Sequence, residues 1–311
     1  HWEYLEEKYH KGFDRFLSFV RTILLKNKPS SNLLDEYEKN IYQKNILKKG
    51  KNTIDFLIEL DGIYDKIIDL NDENLSNEYK NLVTIMKLGL HSDEWIPTVL
   101  SYFLKFEYYN LDEFIKKLEY KFIGDLMSNV SPSKRRENLN NIIKTIEIVS
   151  KENIDILFEN RELFDIDKNI FRKNINGDIY GKKYTKYLLL KMEYLMNDNS
   201  VYLSNYKEIS IEHVLPQNPL KKSHWRRDFT EEQRKLWTNK LSNLVLISNK
   251  KNVKLANLDF KKKKEEYLKN RMDVFNSSKI FLDKSSKWDE TNLRNRQNIM
   301  VNMLINNKYS E

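Results

Sequence analysis

Apolar residues spaced three and four apart constrain this chain more than any other feature. In 13–25, Phe13, Phe16, Leu17, Val20 and Leu24 share one face of a helix, and that face is stable only against a partner. Similar spacing predicts helices over roughly 33–48, 54–69, 76–90, 93–108, 111–127, 134–149 and 183–197. Ser92 ahead of Asp93 and Glu94, and Ser131 ahead of Pro132, read as N-terminal caps for two of them. Only 7 glycines and 5 prolines interrupt 311 residues, too few for a many-stranded sandwich, and no repeat of fixed period suggests a solenoid. The class is therefore mainly α, and residues 1–198 are read as a helical bundle serving as a scaffold.

The texture changes at Asn197-Asp198-Asn199-Ser200, a turn cluster that marks a domain boundary. Beyond it, Lys207 to Leu215 alternates like a strand and is stopped by Pro216. Asn243 to Ile247 predicts a second short strand, Ser248 to Asn252 a turn, and 257–272 a helix. Residues 199–311 are thus expected to form a small α+β domain with a closing helix.

Charge separates the same two parts. Lys and Arg number 31 against 33 acidic residues in 1–200, but 23 against 13 in 201–311. A basic excess confined to the last third suits a polyanion, because neutralised phosphates release counterions, although a merely solvated lysine-rich surface has the same composition. The chain has no cysteine, which removes disulfides and thiolate zinc sites and points to a cytoplasmic setting. No apolar run is long enough to span a membrane and no secretory signal opens the chain, so membrane association is not expected. His1 in place of Met suggests a piece of a longer polypeptide.

Four polar residues of the last third match the needs of metal-assisted phosphodiester hydrolysis. A neutral imidazole, His213, can accept a proton from an attacking water near pH 7. A hard cation, Mg²⁺ foremost or Mn²⁺, needs few protein oxygens, and Glu212 and Asn252 are candidate ligands. The base also needs its other ring nitrogen held, for which Asn243 or its backbone is the candidate. Taken singly, His213 would read as a boundary histidine and the asparagines as turn or cap residues; their mutual spacing is what favours a site.

Ile211-Glu212-His213-Val214-Leu215-Pro216-Gln217, then Leu241 to Leu246, then Asn252 nine positions after Asn243, resemble the motif of HNH (ββα-metal) endonucleases. More narrowly, the segment resembles the C-terminal nuclease domain of GmrSD-type modification-dependent restriction endonucleases. Trp225 and Trp237 fall in the family's insertion, Asn257, Phe260 and Lys263 match its helix, and Trp288 to Arg296 resembles its closing helix. The likeness covers about 211–300. It implies His213 as base, Glu212 and Asn252 as metal ligands, Asn243 as orienter of the base, and defence against foreign or base-modified DNA. Ser242 stands where the family usually has Gly. The resemblance also implies an upstream sensor or NTPase-like domain or subunit, which this chain does not show.

Lys250, Lys251, Lys254 and Lys263 surround the motif and are candidates for holding phosphates, as are Arg226 and Arg227 in the insertion. Trp225 reads equally as a stacking residue or as part of a small core. His224 is a candidate further metal ligand, against the simpler reading of a solvated insertion, and Asn257 a candidate site residue that could equally be a cap. Two rival functions share these residues: a non-catalytic nucleic-acid-binding or partner-docking module, and a ribonuclease toxin using the same site.

Overall fold

The computed structural model describes residues 1–200, 202, 208–269, 275–282 and 287–308. The chain forms two compact units, one of residues 1–80 and 92–166, the other of 81–91 and 167–311. Among the described residues, no helix is long and apolar enough to cross a membrane.

The first unit is helical: α1 (Trp2–Tyr9), α2 (Phe13–Leu25), α3 (Lys51–Ile67), the start of α4 (Asn77–Gly89), α5 (Ile96–Phe106), α6 (Leu111–Met127) and α7 (Pro132–Ile148). α2 buries Phe13, Phe16, Phe19, Val20 and Ile23, leaving Leu17 and Leu24 half-buried at the margins of its apolar stripe. α5 is apolar on nearly every side, and it packs against α2, α3, α6 and α7. Leu100 lies fully buried in it, and Leu100→Ala would leave a cavity costing about 2–5 kcal/mol. Ser131 caps α7 by accepting from the Lys134 amide at 3.3 Å. Ser92 is no cap, since α5 begins at Ile96 with Trp95 in the cap position and Pro97 in its first turn. The helix expected over 33–48 is instead one turn, Leu33–Asp35, running into a π-helical segment, Glu36–Tyr42. There Glu36 is drawn inward: Arg21 Nε and Nη2 donate to Oε2 at 3.0 and 2.6 Å, and the Ser30 amide and hydroxyl to Oε1, both at 2.7 Å.

The second unit contains α8 (Lys168–Ile175), α9 (Thr185–Met196), a hairpin and the helices around it. α9 packs on the hairpin and on the last helix, so the compact units divide between Ile166 and Asp167, not at the 198/199 turn cluster. That cluster is a local bend; the burial of Leu188, Leu189 and Leu190 decides where α9 belongs.

Strands β1 (Ile209–His213) and β2 (Leu244–Ser248) pair antiparallel, with Glu212 opposite Val245 and His213 opposite Leu244. Of the longer strand expected from the sequence, Lys207 lies outside the described residues and the pairing stops at His213. The insertion holds α10 (His224–Asp228) and α11 (Glu231–Trp237). After β2 comes α12 (Asn249–Leu255) in place of the expected turn, then α13 (Phe260–Leu268); positions 270–272 of the expected helix lie outside the described residues. α14 (Glu290–Asn306) closes the unit, holding the start of β2 through Gln297 Oε1, which accepts from the Ser242 amide at 2.9 Å, and Arg296 Nε, which donates to the Ser242 carbonyl at 3.0 Å.

One apolar cluster joins these pieces, with Val214, Leu215, Trp225, Phe229, Val245, Ile247, Leu255, Tyr267 and Trp288 among its members. Trp225 is core: 3% exposed, its indole Nε1 donates to the Leu258 carbonyl at 2.9 Å.

Candidate active site

Alternation along β1 sends Ser210 and Glu212 to the same face as Val245 and Ile247, towards the cluster and α13, and His213 to the opposite face with Leu244. Glu212 is 4% exposed, and the buried Lys263 of α13 donates to its Oε1 at 2.5 Å and to the His213 carbonyl at 2.7 Å. One ammonium thus ties the carboxylate to the backbone of the neighbouring residue. Burial raises the Glu212 carboxyl above its ordinary range, with Lys263 opposing the shift, and burial lowers the Lys263 ammonium, with Glu212 opposing. Desolvation therefore presses both members towards their neutral forms.

His213 is 9% exposed and its Nε2 is buried without a hydrogen-bond partner among the described residues. Burial pushes the imidazole down to about 4; the Asn239 side chain works against this and the Lys263 charge adds to it. The ring is thus neutral near pH 7, as a proton acceptor must be. Tyr180 packs against it edge-on, ring centroids 4.2 Å apart.

Asn243 does not meet the imidazole. It is fully buried, donating to the carbonyls of Leu215 at 2.8 Å and Thr238 at 2.9 Å, and accepting from the Leu215 amide at 2.8 Å and the Trp288 indole at 3.1 Å. Its own carbonyl accepts from the Val214 amide at 3.0 Å. Its side chain and carbonyl tie the chain just past His213 to Thr238 and Trp288, so it shapes the backbone next to His213 and leaves the ring alone. The asparagine beside the ring is Asn239, which the sequence pattern does not single out. Its carbonyl also accepts from the amides of Ile179 and Tyr180 at 2.9 and 3.2 Å, which seats the aromatic neighbour of the imidazole. The only sequence signal for Asn239 is its place in the turn before β2.

Asn252 lies half-buried in α12, and its Nδ2 donates to Ser210 Oγ at 2.6 Å. Ser210 and Glu212 are two strand positions apart, roughly 7 Å, so Asn252 reaches the face that carries Glu212. Among the described residues, no three His, Asp or Glu side chains converge as a metal set. One carboxylate under pressure from burial and one carboxamide suit a hard cation that keeps waters and takes phosphate oxygens, not zinc.

Two lysines expected at a phosphate surface lie inside. Lys263 is held as described, and Lys251, 6% exposed, turns its ammonium onto the carbonyls of Tyr267 and Lys269 at the end of α13. Lys250, Lys254, Arg226 and Arg227 are exposed, Arg227 pairing with Asp228 at 2.8 Å. His224 opens α10 on the surface, and its backbone amide donates to Asp259 Oδ1 at 3.0 Å. Asn257 sits exposed in the turn between α12 and α13.

Residues 164–303 match the family of GmrSD restriction endonucleases, C-terminal domain. The match opens beside the boundary of the second compact unit and takes in the hairpin, its insertion, α12, α13 and most of α14. No curated protein matches the chain. The GmrSD likeness drawn from Glu212, His213, Asn243 and Asn252 is therefore met at the level of a restriction endonuclease domain, over a longer segment than the motif alone covers.

Proposed function

We propose that the GmrSD-like segment is a divalent-metal-dependent endonuclease module of HNH type that hydrolyses DNA phosphodiester bonds in defence against foreign or base-modified DNA. The observation that carries this reading is the end of β1: a neutral imidazole whose Nε2 has no partner among the described residues, directly after a buried carboxyl that Lys263 does not hold in its ordinary range.

Glu212 and Asn252 would hold Mg²⁺ or Mn²⁺, which supplies Lewis-acid stabilisation of the phosphate oxygens. His213 Nε2 takes a proton from water as the water oxygen bonds to phosphorus. The bond to the leaving oxygen breaks, and that oxygen departs with the electron pair and is protonated from solvent. Asn239 and Tyr180 hold the imidazole, while Lys263 and Asn243 fix the backbone on either side of its carbonyl. The reading carries a cytoplasmic setting and a sensor or NTPase-like domain or subunit outside this chain. A DNA substrate is favoured over RNA by the restriction description of the matched domain.

Supercoiled plasmid incubated with Mg²⁺ or Mn²⁺ tests it. Metal-dependent nicking is expected, lost in EDTA and reduced at least about a hundredfold in His213→Ala. Equal nicking by both proteins, or cleavage of RNA alone, removes the assignment.

A further inference from the structure

The Asn239 that meets the imidazole also walls a second feature, a cavity of about 470 Å³ between the 217–219 loop and α11. Its volume falls within the roughly 300–1,000 Å³ of small-molecule sites, room for one nucleotide unit and not for a duplex. Arg226 and Arg234 both line it. Each spends a donor on a backbone carbonyl, Arg226 Nε on Pro219 at 3.0 Å and Arg234 Nη1 on Phe229 at 2.5 Å, and neither has a carboxylate salt-bridge partner among the described residues. The one acid of the wall, Glu231, is taken by Lys235 at 2.8 Å. Two guanidinium forks with free N–H groups, pre-positioned by the main chain, match phosphate oxygens. Gln217, whose Nε2 donates to Asn239 Oδ1 at 3.3 Å, adds an amide able to meet a sugar or base.

We propose that this cavity seats one nucleotide of the substrate strand next to the cleaved bond, its phosphate on Arg226 and Arg234, with Asn239 as the wall shared with the base His213. The inference rests on the nuclease reading and deepens it. The sequence points to Arg226 and has Gln217 at the end of the motif stretch, but it does not single out Arg234 or Asn239, because the cavity forms only when the insertion folds back on the 217–219 loop.

The test is fluorescence anisotropy with a short labelled single-stranded DNA in EDTA, so that binding is read without cleavage, beside plasmid nicking in Mg²⁺. Arg226→Gln/Arg234→Gln is expected to weaken binding about tenfold at low salt and to flatten the salt dependence by about 0.7 for each phosphate no longer neutralised. In nicking it raises KM and leaves kcat, as loss of uniform binding requires. Arg226→Lys/Arg234→Lys restores the salt slope and only part of the affinity, which separates a binding defect from a folding defect. Lys221→Gln/Lys222→Gln, removing two exposed charges of the same insertion outside the cavity, is expected to change binding less. Unchanged binding in the glutamine double variant, or an equal loss in the Lys221/Lys222 control, overturns the proposal. A wild-type chain that binds in this way but never nicks would instead count against the nuclease reading alone.

Discussion

Each compact unit buries a glutamate against a basic side chain, and the two carboxylates titrate in opposite directions. Burial alone would raise Glu36, but the Arg21 fork, the Ser30 hydroxyl and the Ser30 amide outweigh it and hold the carboxyl at about 2. Glu212, buried to a similar degree, has the Lys263 ammonium and the His213 amide in place of that larger set of donors, and burial prevails. A carboxylate with every lone pair answered is a structural fixture. One where burial outweighs its donors, next to an imidazole whose Nε2 has no partner among the described residues, fits the cation site proposed above, and such perturbed groups concentrate at functional sites.

The widest separation between the two pairs is expected on removing the acids. Glu36→Gln strands a buried guanidinium that cannot shed its proton, and the first unit should lose about 3–5 kcal/mol in urea unfolding. Glu212→Gln leaves Lys263, already lowered by burial and able to go neutral, so the loss should stay near 1–2 kcal/mol. Equal losses would break the contrast.

Acid titration sharpens it. Glu36 is depressed in the folded chain, so its contribution is present above its unfolded value near 4.5 and disappears as pH falls towards 2. His213 is depressed from 6.5 to about 4, so the unfolded chain binds its proton first and stability declines as pH falls through that interval. The His213 share is at most about 3 kcal/mol, and His213→Asn should flatten the stability curve from its upper end at 6.5 downwards, where Glu36→Gln has little effect until pH falls to about 5.

Next in size is the asparagine pair. Asn243→Ala leaves four buried groups short of a partner and should cost about 1–3 kcal/mol in the second unit. Asn239→Ala should cost under about 1 kcal/mol, yet lower the His213 pKa further in an NMR titration of the imidazole, because it is Asn239 that opposes the downward shift. The smallest effect belongs to the exposed lysines: Lys250→Gln/Lys254→Gln should leave stability within about 0.5 kcal/mol and reduce the salt dependence of duplex binding by about 0.9 for each phosphate left without its lysine.

How much of this is legible in the sequence depends on whether local pattern or distant packing decides the outcome. α2 and α6 have the predicted ends, 13–25 and 111–127, because an apolar stripe needs only its own spacing to be seen. The π-helical Glu36–Tyr42 segment departs from the predicted helix, since Glu36 is drawn to Arg21, fifteen residues away. Lys263 reads as one of a lysine run around the motif, though Phe260, Lys263 and Tyr267 lie at helical spacing on one face, the signal that places it inward. Glu212 and His213 are visible by chemistry and spacing, and their placement on opposite faces follows from strand alternation. The choice between Asn239 and Asn243 as neighbour of the ring is not visible, because Ile179 and Tyr180, far back in the chain, decide it.

Manganese binding followed by electron paramagnetic resonance puts the proposed cation site at Glu212 to its most direct trial. Wild type should take up Mn²⁺ and quench the free-ion signal, His213→Ala should do so as well, and Glu212→Gln and Asn252→Ala should each lose it. Undiminished uptake by Glu212→Gln would mean that this carboxylate serves Lys263 alone, in the manner of Glu36 with Arg21, and would contradict the account.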